Sequence, residues 1–589
     1  MSQIEISNIE YLVIVGYLVL IVAVGIVFRK FSSDTKDYFI GGAKGSWWLV
    51  GSSAFMSAFS AWTFTGAAGV AFESGFSVMI IFLGNAFGFF LNFLFLGPWL
   101  RQMRVTTFPE AIAGRFGEVT RNFYALFEMP IRLLYSAMAL YGLGIFCSAV
   151  FGYDIYHVIL VCGIVVLFYS ATGGRWAVMA TDFLQGLILV PLTLIIAWLC
   201  IDQLGGIDGM FEKIEAQGLS EKFQMINSAE LFAGAYTWGW ASAMVTKGFL
   251  VFNSMYAGPR YFSVKDGREA RKAAILASVL FLVGGLVWFL PPITAKLLYA
   301  EQVMGLAISK PAEAAYAIAS INVLPTGLIG LVVVAILTAT MSSMDTGLNT
   351  NVAIMIRDIY PKLVRRFSWT EKPETVLLSY GRLLTWIMGV LVILLALQLA
   401  RQEGRGIFEI MLDIGALLMS PIQIPLIWGL FIRRTPWWAA LSSIAFGFAV
   451  SLIAFLGVPL SAFGFPAEAA WTFQMKFFGV FAAGSLGFLI SIPFAPSKGS
   501  PHRRKVDAFI TNMKTPIDFE TEIGPGNDLA QLKVIGRFGA AVALFIAAML
   551  FIPNPPNGRL AIVALALTIG GISLVMIRQG KGLTFSDQA

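Results

Sequence analysis

The stretch Gly51-Ser-Ser-Ala-Phe-Met-Ser-Ala-Phe-Ser60-Ala-Trp-Thr-Phe-Thr-Gly66 lies inside an apolar run from 47 to 72, yet carries hydroxyls at Ser57, Ser60, Thr63 and Thr65. One or two hydroxyls in an apolar helix bond back to their own turn and signify little. A cluster this dense, with glycines at 51, 66 and 69, marks a helix expected to unwind midway. A second crowded stretch, Thr338-Ala-Thr-Met-Ser-Ser-Met-Asp-Thr-Gly-Leu-Asn-Thr350, puts Ser342, Ser343, Asp345 and Thr346 within five residues. Hydroxyls, freed carbonyls and a carboxylate are what a small hard cation needs in place of its water shell. A discontinuous membrane helix at mid-depth is one device that frees such carbonyls.

The rest of the chain reads as membrane protein. Of 589 residues, 58% are hydrophobic and 13% charged, with a mean hydropathy of +0.78. A soluble domain carries about 25% charged residues. Fifteen apolar runs lie between residues 10 and 577, and a spanning helix needs about 20 apolar residues. The expected fold is an all-α polytopic membrane protein of about 15 transmembrane helices. This excludes a soluble enzyme, a nucleic-acid-binding domain and a single-span receptor. The long unbroken runs also exclude a β-barrel, whose strands alternate. Cys147, Cys162 and Cys200 all lie in apolar runs and read as small hydrophobes.

The basic residues are asymmetric. With the N-terminus outside, alternating loops place thirty Lys and Arg on one side and six on the other. The positive-inside rule then puts the C-terminus in the cytoplasm of a cell with this chain in its plasma membrane. The net charge of +7 is therefore topology and implies no nucleic-acid partner. The polar stretch 495–536 is expected to be a cytoplasmic linker with some amphipathic helix, too short for a core of its own.

Ionisable residues inside spans are costly and are functional candidates by default. They are Glu128, Arg132, Asp182, Lys247, Asp345, Arg382, Glu409, Asp413 and Lys476. Glu128 and Arg132, four apart on one helix, either neutralise each other or serve a ligand. Lys296 and Lys476 are near span ends and are expected to snorkel.

Four blocks carry a family resemblance. They are Gly41-Gly-Ala-Lys-Gly-Ser-Trp-Trp48, Phe59-Ser-Ala-Trp-Thr-Phe-Thr-Gly66, Ala171-Thr-Gly-Gly-Arg-Trp-Ala-Val-Met-Ala-Thr-Asp-Phe-Leu-Gln185, and Met341-Ser-Ser-Met-Asp-Thr-Gly-Leu-Asn-Thr350 followed by Arg357-Asp-Ile-Tyr360. Over residues 10 to 500 the chain resembles the sodium/solute symporter family, which includes bacterial transporters of proline, galactose and sialic acid. The resemblance implies an inverted-repeat core of five plus five helices, 47–201 and 234–432, with the first helix of each repeat broken at mid-membrane. Around it stand an N-terminal helix and loop (1–46), an external loop (202–233), two further helices (433–494), the linker (495–536) and two C-terminal helices with a tail (537–589).

The resemblance also implies a sodium site formed by the carbonyls of Met56, Phe59 and Ala339 and the hydroxyls of Ser342 and Ser343. A second cation site falls on Asp182, Ser342, Asp345 and Thr346. There Asp345 replaces the family's usual small hydroxyl residue, leaving sodium and a proton both open as the second ion. Solute contacts carry over to Ser60, Thr63, Asn85, Arg132, Lys247 and Gln423. Arg132 matches the place where sialic acid carriers hold a carboxylate, which argues for an anionic solute such as a sugar acid or monocarboxylate. Neutral sugars and amino acids are the alternatives, and a non-transporting receptor is a third. Sodium is the coupling ion, no catalytic residue is expected, and the chain lacks the phosphate loop of a primary pump.

Overall fold

The computed structural model describes residues 7–28, 43–57, 59–170, 175–227, 231, 234–306, 308–402, 406–466, 469–524 and 528–580. Among them the chain is helical, with no strand beyond one isolated bridge between Gly45 and Val264. In chain order the principal helices are α1 (Asn8–Phe28), α2 (Trp47–Ser57), α3 (Ala61–Phe64), α4 (Gly66–Ser74), α5 (Met79–Leu91), α6 (Glu118–Phe151), α7 (Ile155–Ser170) and α8 (Arg175–Leu204). They continue with α9 (Trp238–Asn253), α10 (Gly267–Val287), α11 (Leu328–Ala353), α12 (Glu374–Ala400), α13 (Ile407–Ile414), α14 (Ser420–Phe431), α15 (Ala439–Phe455) and α16 (Phe473–Ile490). The last three are α17 (Pro501–Lys514), α18 (Asp528–Ala548) and α19 (Pro556–Gln579).

Ten helical stretches among the described residues are long and apolar enough to cross a membrane, and three shorter apolar helices accompany them. Their outward faces carry Leu12, Val15 and Val19 on α1, Phe455 on α15, Leu544 on α18 and Leu567 on α19, all largely exposed. Surface this apolar requires lipid. Polar side chains such as Asn92, Asp182, Asn253 and Thr338 are instead buried inside.

Two chain breaks share one local design. The first follows Ser57: Ser60 is extended (φ −149°, ψ 179°) and its hydroxyl accepts from the N–H of Trp62, restarting the helix as α3. The second follows Asn253: Ser254 is extended (φ −85°, ψ 167°) and its hydroxyl accepts from the N–H of Tyr256. A serine N-cap satisfies a donor that the interrupted helix would orphan. The first break matches the sequence expectation, whereas the second has no hydroxyl cluster to announce it.

Glycines set the closest helix approaches, as in membrane bundles generally. A Cβ on Gly248 of α9 would sit 2.8 Å from the Gly84 carbonyl of α5, and one on Gly51 of α2 would sit 2.8 Å from the Ala273 carbonyl of α10. At the start of α11, the Glu10 carboxylate accepts from the N–H of Gly327 (2.6 Å) and of Gly330 (2.5 Å), tying α1 to that helix N-terminus.

A strap crosses the arginine-rich face. Helix α17 buries Val506, Phe509, Ile510 and Met513 against the bundle. Arg104 forks onto both Glu522 oxygens (2.7 and 2.9 Å) and donates to the carbonyls of Asn512, Thr515 and Pro516. Arg433 pairs with Asp507 at 2.6 Å, and Arg503 donates to the Arg433 carbonyl.

Candidate functional site

The first break meets α11 through one side chain. Ser343 Oγ donates to the Phe59 carbonyl at 3.5 Å and to the Ala339 carbonyl, one turn back, at 3.3 Å. The Phe59 N–H returns to the Met56 carbonyl at 3.1 Å. Met56, Phe59, Ala339 and Ser343 therefore stand together where α2 stops. Ser342 Oγ is buried there on α11 with no hydrogen-bond partner among the described residues, as is Thr346 Oγ1 one turn on. An oxygen set with an unsatisfied buried hydroxyl suits a hard cation.

Asp182, fully buried on α8, accepts from Ser53 Oγ on α2. Ser53 belongs to the hydroxyl-rich stretch 51–66, yet nothing in the pattern there sets it apart from its neighbours. The Asp345 side chain lies outside the described residues, so the second candidate cation group is seen only through Asp182, Ser342 and Thr346.

The expected solute residues spread around the two breaks. Ser60 caps the restart and Thr63 is buried on α3. Asn85 lies at the close approach of α5 to α9, its backbone nitrogen 3.4 Å from where a Gly248 Cβ would be. Gln423 is buried in α14, beside Ile422, whose carbonyl accepts from Tyr124 of α6.

The two cations differ sharply. Arg132 forms an ion pair with Glu128, the carboxylate side chain being 1% exposed, and lies 5.0 Å over the Tyr256 ring just past the second break. Lys247 has no acidic ion-pair partner among the described residues. Its Nζ sits 3.1 Å from where a Gly415 Cβ would be and 5.9 Å from the Phe473 ring. Gly415 opens the π-helical turn Gly415–Met419 between α13 and α14, and such turns often mark functional positions. Lys476 does not snorkel as expected: its Nζ meets Asp413 at 2.6 Å, because a half-buried ammonium gains more from a carboxylate than from a stretched path to the interface.

Several elements escape a reading of the sequence. Asn253 Nδ2 donates to the Gly88 carbonyl at 2.9 Å while Oδ1 has no partner among the described residues. The Asn253-Ser254 pair inside an apolar run is the available signal. Trp62 stacks on Phe408 of α13 (6.0 Å, 14°), covering the first break from one side.

The model of the family described as "Sodium:solute symporter family" matches residues 38–447. The chain belongs to that family. Curated relatives include the sodium/sialic acid symporter SiaT of Proteus mirabilis, 25% identical over 506 residues and covering 83% of this chain and 96% of that one. The sodium/glucose cotransporter of Vibrio parahaemolyticus is 26% identical, covering 74% and 83%. The osmoregulated proline transporter of Bacillus subtilis is 25% identical, covering 76% and 89%. Among solved structures, a sodium-coupled sialic acid symporter in a substrate-bound outward-open state aligns with a TM-score of 0.66 at 22% identity, covering 84% of this chain and all of that one. A nucleobase-cation symporter in a closed conformation aligns at 0.51 and 13% identity, over 80% and 98%. At these identities the structures establish a shared fold, and this family member is a multi-pass membrane transporter in architecture.

Proposed function

We propose that this symporter-family member imports a small anionic organic solute, a sugar acid such as sialic acid or a monocarboxylate, coupled to sodium by alternating access. The observation that carries the reading is the Ser343 hydroxyl spanning from α11 to the Phe59 carbonyl at the helix break. Sodium at Met56, Phe59, Ala339, Ser342 and Ser343 draws the broken helix onto α11 and biases the outward-open state. Each sodium moving down the membrane potential releases about 2.3 kcal/mol per 100 mV, which drives accumulation without nucleotide.

The chain is read as about 15 spans around a core of five plus five helices, its repeats 47–201 and 234–432 related by a two-fold axis in the membrane plane, the N-terminus outside and the C-terminus in the cytoplasm. The serine-capped breaks at Ser60 and Ser254 fall at matching places in these repeats, which supports the pairing. Solute contacts fall on Ser60, Thr63, Asn85, Arg132, Lys247 and Gln423. Lys247, with no acidic ion-pair partner among the described residues, favours an anion, and the Glu128 counter-ion on Arg132 favours the alternative of a neutral sugar or amino acid. Uptake of labelled sugar acids, monocarboxylates, amino acids and neutral sugars into proteoliposomes, with and without a sodium gradient, decides between them. Binding without accumulation would leave a receptor.

A further inference from the structure

The strap ends in Asp518-Phe-Glu-Thr-Glu522, an acidic segment with carboxylates at 518, 520 and 522. The last of them enters the fork of Arg104: Nε donates to Glu522 Oε2 at 2.7 Å and Nη2 to Oε1 at 2.9 Å, the geometry in which a guanidinium holds a carboxylate or a phosphate. The other nitrogen, Nη1, is spent on the carbonyls of Gln102, Asn512 and Thr515. Arg104 adopts a left-handed backbone (φ 55°), a strain of the kind that gathers at ligand clamps. The pair is open to solvent, its side chains 26% and 34% exposed. A second guanidinium lies three residues earlier. Arg101, 4% exposed, donates from Nε to the Val264 carbonyl, and its buried Nη2 has no hydrogen-bond partner among the described residues. Arg101 is near enough to feel the charges of Glu522, Arg104 and Asp266. Lys265 adds a further cation, its Nζ 5.4 Å from the Phe519 ring.

We propose that Arg104 and Arg101 form a binding site for a phosphate group, which Glu522 occupies as a built-in stand-in, so that a bound phosphate expels the acidic end of the strap. A carboxylate offers two oxygens, and both are taken by Arg104. A phosphate group brings about twice the charge and three acceptor oxygens. The extra oxygen answers the Arg101 Nη2 that Glu522 leaves without a partner. Because the Arg104 pair is partly exposed, a competing anion reaches the fork without the bundle opening. The site uses none of the sodium or solute residues at the two breaks. Glu522 also lies outside the family match over residues 38–447, so the device belongs to this chain's own C-terminal extension. A free phosphate and a phospholipid headgroup offer the same chemistry to the fork.

The test uses the full-length chain in detergent micelles at fixed pH and constant ionic strength, so that membrane orientation and transport play no part. Hydrogen exchange of amides 517–524 is followed while inorganic phosphate is titrated in one arm and phosphatidic acid is added to the micelles in the other, with chloride and phosphatidylcholine as the respective controls. Exchange should quicken several-fold with at least one phosphate ligand and with neither control. Glu522→Gln, whose fork is no longer held by a carboxylate, should exchange fast from the start and bind the releasing ligand on the order of tenfold more tightly, the value of one charge-assisted hydrogen bond no longer competing. Adding Arg104→Lys to that variant keeps the charge, loses the fork and should return the affinity by a similar factor, with thermal unfolding recorded to show that the fold is retained. Release by inorganic phosphate identifies a soluble ligand, and release by phosphatidic acid alone identifies a lipid headgroup. Strap exchange that responds to neither, or equally to chloride, overturns the site, as does a Glu522→Gln variant that binds both ligands no more tightly than the parent chain.

Discussion

Ser343 and Phe59 are 284 positions apart in sequence, yet the Ser343 hydroxyl lies 3.5 Å from the Phe59 carbonyl, across the gap where α2 stops and α3 has not begun. Because that carbonyl belongs to an interrupted helix, a ligand joining it to α11 would couple the two elements, and a cation there would be both cargo and fastener.

Replacing Ser343 with Ala removes one oxygen ligand and the bridge itself. A lost hydrogen-bonding group of this kind costs on the order of 1.5 kcal/mol, so the sodium concentration for half-maximal uptake should rise about tenfold. Sodium titration of uptake checks this, and an unchanged sodium dependence removes the site. Ser342→Ala is expected to act in the same direction.

The Glu128 and Arg132 pair predicts an asymmetry. Arg132→Ala strands a buried carboxylate and should cost about 3–5 kcal/mol of stability, whereas Glu128→Gln with Arg132→Met should be far better tolerated. Thermal unfolding in detergent reads the difference. Uptake by the double variant then decides whether Arg132 holds solute. If Arg132→Ala leaves uptake of every acidic solute unchanged, Arg132 is structural only.

Lys247→Gln removes a cation that has no acidic ion-pair partner among the described residues. The half-saturating concentration of an anionic solute should rise at least about tenfold, the value of one charge-assisted hydrogen bond, with neutral solutes unaffected. Equal effects on both classes would assign Lys247 to packing against Gly415 and Phe473.

Asp345→Asn should change the sodium-to-solute ratio in liposomes if that residue helps Asp182, Ser342 and Thr346 hold a second sodium. If it carries a proton, the ratio should stay fixed and the proton flux disappear. With neither flux altered, the second site is absent.

On the arginine-rich face, the Arg104 guanidinium holds the Glu522 carboxyl below the ordinary 4.5. A lowered carboxyl contributes stability that is complete above its unfolded value and is lost as pH falls through its folded one. Amides of 515–524 should therefore exchange faster below about pH 4.5, and Arg104→Ala should bring faster exchange already at neutral pH. Hydrogen exchange compared with Glu522→Gln at each pH tests this, and identical exchange at all pH values would reject the clamp.

Much of this protein is legible in its amino-acid order. Apolar runs are read within some twenty residues, so the helical membrane class follows directly from composition. The break at Ser60 is legible for the same local reason: hydroxyls and glycines crowded into one run compete with the helix ladder. The motif blocks indicate the family, which the match over residues 38–447 establishes.

Other features depend on partners far apart in the chain. The second break has only Asn253-Ser254 to mark it, and its restart is visible once Ser254 is seen capping Tyr256. Spacing leaves Glu128 and Arg132 open as a pair or a ligand site, and the rotamers join them. Lys476 reads as an interfacial anchor until Asp413, 63 positions away, proves to be its partner. Glu522 sits in a polar linker with no distinguishing pattern, and only packing brings it onto Arg104, 418 positions away. The sequence by itself determined the solvent, the helices, the first break and the family, because each is written in local periodicity or contiguous motifs. Which charges are neutralised and which helix ends are tied were decided by the tertiary structure alone, because a buried charge takes its energy from neighbours that the chain order does not name.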